Sequence, residues 1–205
     1  MGFQLMVSIE ETPTYVGLSL SIAYSYQRGE ITADELFAWL RASKQEQTQR
    51  ADISQGQTMT FLIFLLACGA AASTGMIFQP GPWYQSLVKP RFTPPNWVFP
   101  VAWTTIYLLL AWVGYRLTLT PGSETVLALW AAQIALNTLW TPVFFGAHRL
   151  FAGMLIITLL WLVVAAMVVL ALRLDVITGL ILFPYLAWLC VAAALNFSIL
   201  RNNRE

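Results

Sequence analysis

The stretch FAGMLIITLLWLVVAAMVVLAL, residues 151–172, runs without a single charged side chain. A helix needs about 20 residues to cross the hydrocarbon core of a bilayer. A helix on the surface of a soluble protein would keep one polar side, whereas this segment is apolar on every face. Four further runs share its character, at residues 60–78, 97–117, 126–145 and 177–200. Strands of a membrane barrel would alternate apolar and polar positions, and these runs do not. In hydrocarbon each run must satisfy its own backbone, which a helix does. The expected fold class is an all-α membrane protein, a bundle of five transmembrane helices with a short N-terminal soluble extension.

Composition agrees. Hydrophobic residues make up 58% of the 205 and charged residues 10%, against about 25% charged in a soluble globular protein. Between Thr60 and Leu200 the acids are Glu124 and Asp175, and the bases are Lys89, Arg91, Arg116, Arg149 and Arg173. Each lies at or near the end of an apolar run. A net charge of +1 gives no basic field, so membrane lipid is an expected partner and nucleic acid is not. Bases near the helix ends are shared about equally between the two sides, so they do not set an orientation.

The connections differ in kind. Residues 79–96 form a long first loop stiffened by Pro80, Pro82, Pro90, Pro94 and Pro95. The later connections are short and make neighbouring helices antiparallel. Pro142 and Pro184 fall inside the third and fifth runs and are expected to kink them. Residues 1–58 read as a separate extension, and 59–205 as the membrane domain. In the extension Thr32 and Glu35 fit a capping box opening one short helix, with Leu36, Phe37 and Leu40 as its apolar stripe. Upstream, Val16, Leu18, Leu20, Ile22, Tyr24 and Tyr26 alternate with small residues in the period of a strand. No secretory signal is read at the N-terminus, and Met6 stands where a myristoylation signal wants Ser or Thr. Cys68 and Cys190 lie within apolar runs and are expected to be buried as small hydrophobes.

Ionisable groups are nearly absent from the runs, so no catalytic or metal-ligating set is assigned, and no cofactor is required. His148, in the loop after the third run, reads as an interfacial solvated residue. Aromatic residues abound instead: eight of nine tryptophans lie beyond Met59. Trp97, at a helix start, suits the interfacial belt. Phe99, Trp103 and Tyr107 recur every four residues and share one face of the second helix. Asn137, Trp140 and Phe144 share a face of the third, and Trp188, Ala192 and Leu195 a face of the fifth. Asn137 and Asn196 are mid-membrane amides, which must point inward, either as glue between helices or toward a ligand. Aromatic walls with a few polar groups suit a large, flat, apolar ligand.

Trp83-Tyr84, Leu87, Lys89-Pro90, Pro94-Pro95, Trp97, Phe99-Pro100, Trp103 and Tyr107 resemble the first-loop and second-helix signature of the tryptophan-rich sensory protein / translocator protein (TspO/MBR) family. The resemblance continues through Asn137, Trp140, Phe144-Phe145-Gly146, Pro184-Tyr185, Trp188 and Asn196-Phe197. It implies a pocket beneath the first loop that takes porphyrins such as protoporphyrin IX, or sterol-like and drug-like apolar ligands. The implied pocket residues are Trp83, Pro94, Phe99, Trp103, Tyr107, Asn137, Trp140, Trp188, Ala192 and Leu195. It also implies a porphyrin sensor, sequestering protein or translocator rather than an enzyme, in a bacterial cell envelope or, in a eukaryote, a mitochondrial membrane. A light- and oxygen-dependent breakdown of bound porphyrin, with Trp83 and Trp103 as electron donors, is the catalytic alternative. A homodimer is implied through the third helix, where Ala128 with Ala132 and Ala131 with Ala135 keep small-xxx-small spacing. Two positions depart from the family pattern. Arg91-Phe92 follows the Lys-Pro pair where relatives carry Trp or another aromatic, and offers Arg91 to a porphyrin carboxylate. Phe197 replaces the Tyr of a cholesterol-recognition pattern, which weakens the sterol reading.

Overall fold

The computed structural model describes residues 13–203, with side chains from residue 20 onward. The chain divides into two compact units, Met1–Gly56 and Gln57–Glu205.

In the first unit, α1 (Pro13–Gln27) is a helix where alternation pointed to a strand. A lone strand leaves its backbone groups unpaired, whereas a helix pairs them within itself, and no neighbouring strand is present among the described residues. The side chains of Leu20, Tyr24 and Tyr26 are exposed, while those of Val16 and Leu18 lie outside the described set. Gly29 turns the chain at φ 74°, a value glycine adopts without steric cost. The capping box then forms: the Thr32 N–H donates to Glu35 Oε2 at 2.7 Å and the Glu35 N–H to Thr32 Oγ1 at 3.3 Å. The Thr32 N–H and the Thr32 hydroxyl, which donates to the same Oε2 at 2.9 Å, hold the Glu35 carboxyl below its usual range. The helix they open is not short. α2 runs over Ala33–Ile77, because residues 44–50 are strong helix formers without a proline, braced by an Arg50–Glu46 pair.

Five helices of the described residues are long and apolar enough to cross a membrane: the C-terminal part of α2, then α4 (Val98–Thr118), α5 (Glu124–Thr141), α6 (Leu150–Leu174) and the pair α7 (Val176–Ile181) and α8 (Phe183–Asn202). A short α3 (Pro82–Ser86) lies in the first loop. α6 packs against α5, α7 and α8, burying Ile157, Leu160, Val164, Met167 and Ala171 along one stripe. Its exposed residues, Leu155, Leu159, Leu162 and Val169, are equally apolar. Water would tolerate neither their number nor their continuity; lipid does. The protein is a multi-pass integral membrane protein.

Close approach fixes the remaining helices. Phe64 of α2 sits against Gly114 of α4, where an added Cβ would lie 2.3 Å from its ring. The same ring meets Trp130 of α5 edge-on at 4.8 Å, and the Trp130 indole N–H donates to the Leu110 carbonyl at 2.9 Å. Cys68 is fully buried as expected, but Cys190 is exposed on the outer face of α8, where its sulfur accepts the Trp161 N–H at 3.2 Å. An apolar run in lipid has an outside as apolar as its inside, so hydrophobicity alone does not place a cysteine.

Both expected kinks are present, in different forms. Pro142 begins a π-helical turn over Pro142–Gly146, closed by the Ala147 N–H on the Pro142 carbonyl at 2.8 Å. Pro184, lacking an N–H, breaks the fifth span between α7 and α8 at Leu182.

At the end of the bundle away from the first loop, Arg116 of α4 pairs with Asp175. Asp175 also accepts from Thr178 Oγ1 and caps α7 through the Ile177 N–H. The Arg116 and Thr178 hydrogen bonds hold the Asp175 carboxyl at about 2. A carboxyl depressed in the folded state stabilises the fold above its unfolded value, about 3.9, and loses that contribution as pH falls toward 2. Asp175→Asn should therefore lower the melting temperature in detergent at pH 6, and the gap from the unsubstituted protein should close on acidification to pH 2. A gap independent of pH would show that the carboxylate charge is not what holds this corner.

Candidate functional site

At the opposite end, the first loop is fastened to the last helix. Asn203, just past α8, uses both ends of its amide on Val88: the Val88 N–H donates to Oδ1 at 2.9 Å, and Nδ2 donates to the Val88 carbonyl at 3.1 Å. The proline run before and after α3 removes competing conformations, so this pairing holds a segment already stiff.

α3 presents Trp83 and Tyr84. Trp83 stacks on the His148 imidazole at 4.1 Å and meets the Phe144 ring at 5.9 Å. His148 is exposed, as read from the sequence, and has φ 56°, a conformation in which His is over-represented. Tyr84 lies edge-on to Phe145 at 5.2 Å, with Lys89 Nζ 4.7 Å from its ring centre. Burial pushes the Tyr84 phenol above its ordinary value. The π-helical turn aims Phe144 inward, where it is 2% exposed and stacks on Trp140 at 4.9 Å, 15° from parallel. Gly153 of α6 makes the room: a Cβ there would lie 2.8 Å from the Phe144 ring.

A second aromatic group lies between α4 and α8. Phe99 meets Trp188 at 5.7 Å, and Trp103 meets Tyr107 at 5.7 Å and Tyr185 at 6.3 Å. Trp103, Tyr107, Trp140, Trp188 and Ala192 all pack against one buried core. Leu195 is buried, and Pro94 is half-buried in the loop. The structure thus sets Phe99 and Trp103 of α4 beside Trp188 and Tyr185 of α8, stacks Trp140 of α5 on Phe144, and sets Trp83 against Phe144.

Polar atoms inside the bundle are few and mostly unmet. The Tyr185 hydroxyl donates to Gln133 Oε1 at 3.0 Å, linking α8 to α5. Gln133 Nε2, Asn137 Nδ2, Trp140 Nε1, Trp188 Nε1 and both ends of the Asn196 amide are buried without a protein partner among the described residues. Asn137 and Asn196 do point inward, at 4% and 2% exposure, but neither bridges helices as glue through these atoms. Gln133, Tyr185 and Phe144 were not among the expected site residues. Gln133 carried a signal of its own, an amide in an apolar run one turn before Asn137. Such an arrangement offers π faces and hydrogen-bond donors.

The alanines of the small-residue stripe, Ala128, Ala131, Ala132 and Ala135, are all exposed on α5.

Residues 61–201 match the family model described as TspO/MBR family. The chain is 52% identical over 147 residues to "Protein CrtK" of Rhodobacter capsulatus, covering 70% of this chain and 92% of that protein. It is 46% identical over 143 residues to the "Tryptophan-rich sensory protein" of Cereibacter sphaeroides, covering 70% and 90%. To the "Translocator protein" of Homo sapiens it is 32% identical over 148 residues, covering 68% and 88%.

Gly153→Val should drive Phe144 off Trp140. The expected result is about 1–3 kcal/mol lost to overpacking and a changed tryptophan emission. Emission and stability both unchanged would mean that α6 shifts and the Phe144 stack does not depend on this glycine.

Proposed function

Since the chain belongs to the TspO/MBR family, we propose that this membrane sensor or translocator acts by binding a tetrapyrrole of the protoporphyrin IX type among the aromatic side chains of α4, α5 and α8. The observation that carries this reading is the convergence of Trp103, Tyr107, Trp140 and Trp188 on one core beneath a tethered loop. Flat conjugated rings stack on such faces, and their burial drives binding without metal coordination. Ligand carboxylates are met at the loop by Lys89 and Arg91, the two bases of the first loop, whose Trp83 stacks on His148. The same apolar walls suit other large apolar molecules. The cell envelope of a bacterium is the proposed residence, in keeping with the bacterial sources of the relatives at 52% and 46% identity.

Titrating purified protein with protoporphyrin IX and reading tryptophan quenching tests the proposal. Trp103→Phe and Trp188→Phe should each weaken binding about three- to tenfold, the worth of one lost aromatic stacking partner. Affinity unchanged in both variants would remove these residues from the site.

The exposed alanines of α5 support a further part of the reading, a homodimer with α5 against α5 of a second copy. Small residues let two backbones approach, which in lipid is the main source of helix association. Ala131→Leu together with Ala132→Leu should convert a dimer to a monomer in light-scattering measurements in detergent. A monomeric parent protein, or a dimer indifferent to both substitutions, would remove α5 from any interface.

A further inference from the structure

Along α5, Gln133, Asn137 and Trp140 are spaced four and three residues apart and so share one stripe. Gln133 Nε2, Asn137 Nδ2 and Trp140 Nε1 are each buried, and none has a protein acceptor among the described residues. From the first to the last the helix rises about 10 Å, comparable with the breadth of a tetrapyrrole ring system. Gln133 itself is wholly buried. The Tyr185 hydroxyl donates to Oε1 and leaves the NH2 side free. A buried donor left unmet is costly, so this stripe favours a molecule that brings acceptors to it.

The kind of acceptor follows from charge. All three donors are neutral, and the bases of the membrane domain lie at helix ends or in loops. A carboxylate carried down to Gln133 would lose its hydration and gain no counter-charge. A carbonyl would meet the same N–H with far less desolvation.

We infer that the natural ligand carries a neutral acceptor oxygen, a ketone, amide or lactam carbonyl, on its buried edge. Gln133 and Asn137 receive that oxygen, and any carboxylates stay at the loop beside Lys89 and Arg91. Gln133 is then a specificity-determining residue, oriented by Tyr185. The inference rests on the tetrapyrrole reading for the location of the site, and adds the chemistry of the ligand's inner end.

Two porphyrins separate the possibilities. Protoporphyrin IX and diacetyldeuteroporphyrin IX share their propionates and differ on the opposite edge, where acetyl carbonyls replace vinyl groups. The diacetyl compound should bind the unsubstituted protein about five- to tenfold more tightly, the worth of one good hydrogen bond to an otherwise unmet donor. In Gln133→Met and in Asn137→Leu the ratio of the two affinities should shrink toward parity, whatever either substitution does to protoporphyrin binding itself, a pattern that general loosening of the bundle would not produce. Equal affinity of the two porphyrins for the unsubstituted protein overturns the inference and leaves the tetrapyrrole reading standing. So does a preference undiminished in both variants, which would assign these amides to water. If neither porphyrin binds, the tetrapyrrole reading fails, and fluorenone against fluorene decides the inference alone. A Gln133-dependent preference for fluorenone supports it; no preference, or no binding of either, overturns it.

Discussion

Hydrocarbon supplies no hydrogen-bond partner, and every peptide group in a membrane span must find one within the protein. The helical form of all five spans follows from that constraint, and so do the places where the form is disturbed. At Pro142 the lost N–H is accommodated by widening one turn, and at Pro184 by interrupting the helix at Leu182. Neither disturbance is idle. The first turns Phe144 onto Trp140, and the second sets Tyr185 at the start of α8 with its hydroxyl on Gln133.

The same constraint governs side chains less strictly, and the difference is informative. A buried amide with no acceptor is a cost the fold carries, and in this bundle such costs fall on the aromatic stripes: Asn137 and Trp140 on α5, Trp188 and Asn196 on α8. Elsewhere more of the polar groups are met, although Arg116 Nε is also buried without a partner among the described residues. Trp130 reaches a backbone carbonyl across to α4, Ser123 reaches the Leu117 carbonyl, and Arg116 finds Asp175.

Much of this was legible in the sequence, for a definite physical reason. A span is apolar on all sides over a length fixed by the bilayer, so residues 151–172 admit one interpretation. The inward faces of α4, α5 and α8 were equally readable, because aromatic residues recur there at helical spacing. Four features were not. The alternation from Val16 to Tyr26 is compatible with strand and helix alike, and no pairing strand is present among the described residues. Cys190 shows that an apolar run in lipid does not declare which side is out. Gln133 depends on a partner 52 residues away in the chain, and local pattern does not reveal such a pairing. Hydropathy likewise gave no warning that the helix opened by Thr32 continues to Ile77, since its polar middle has the composition of a solvated segment.

The pairing of Asn203 with Val88 also bears on how the molecule is made. Chain synthesis delivers the first loop early, but the amide that fastens it follows all five spans. Until α8 has been inserted, the first loop lacks this fastening. Maturation is therefore ordered: walls first, closure last.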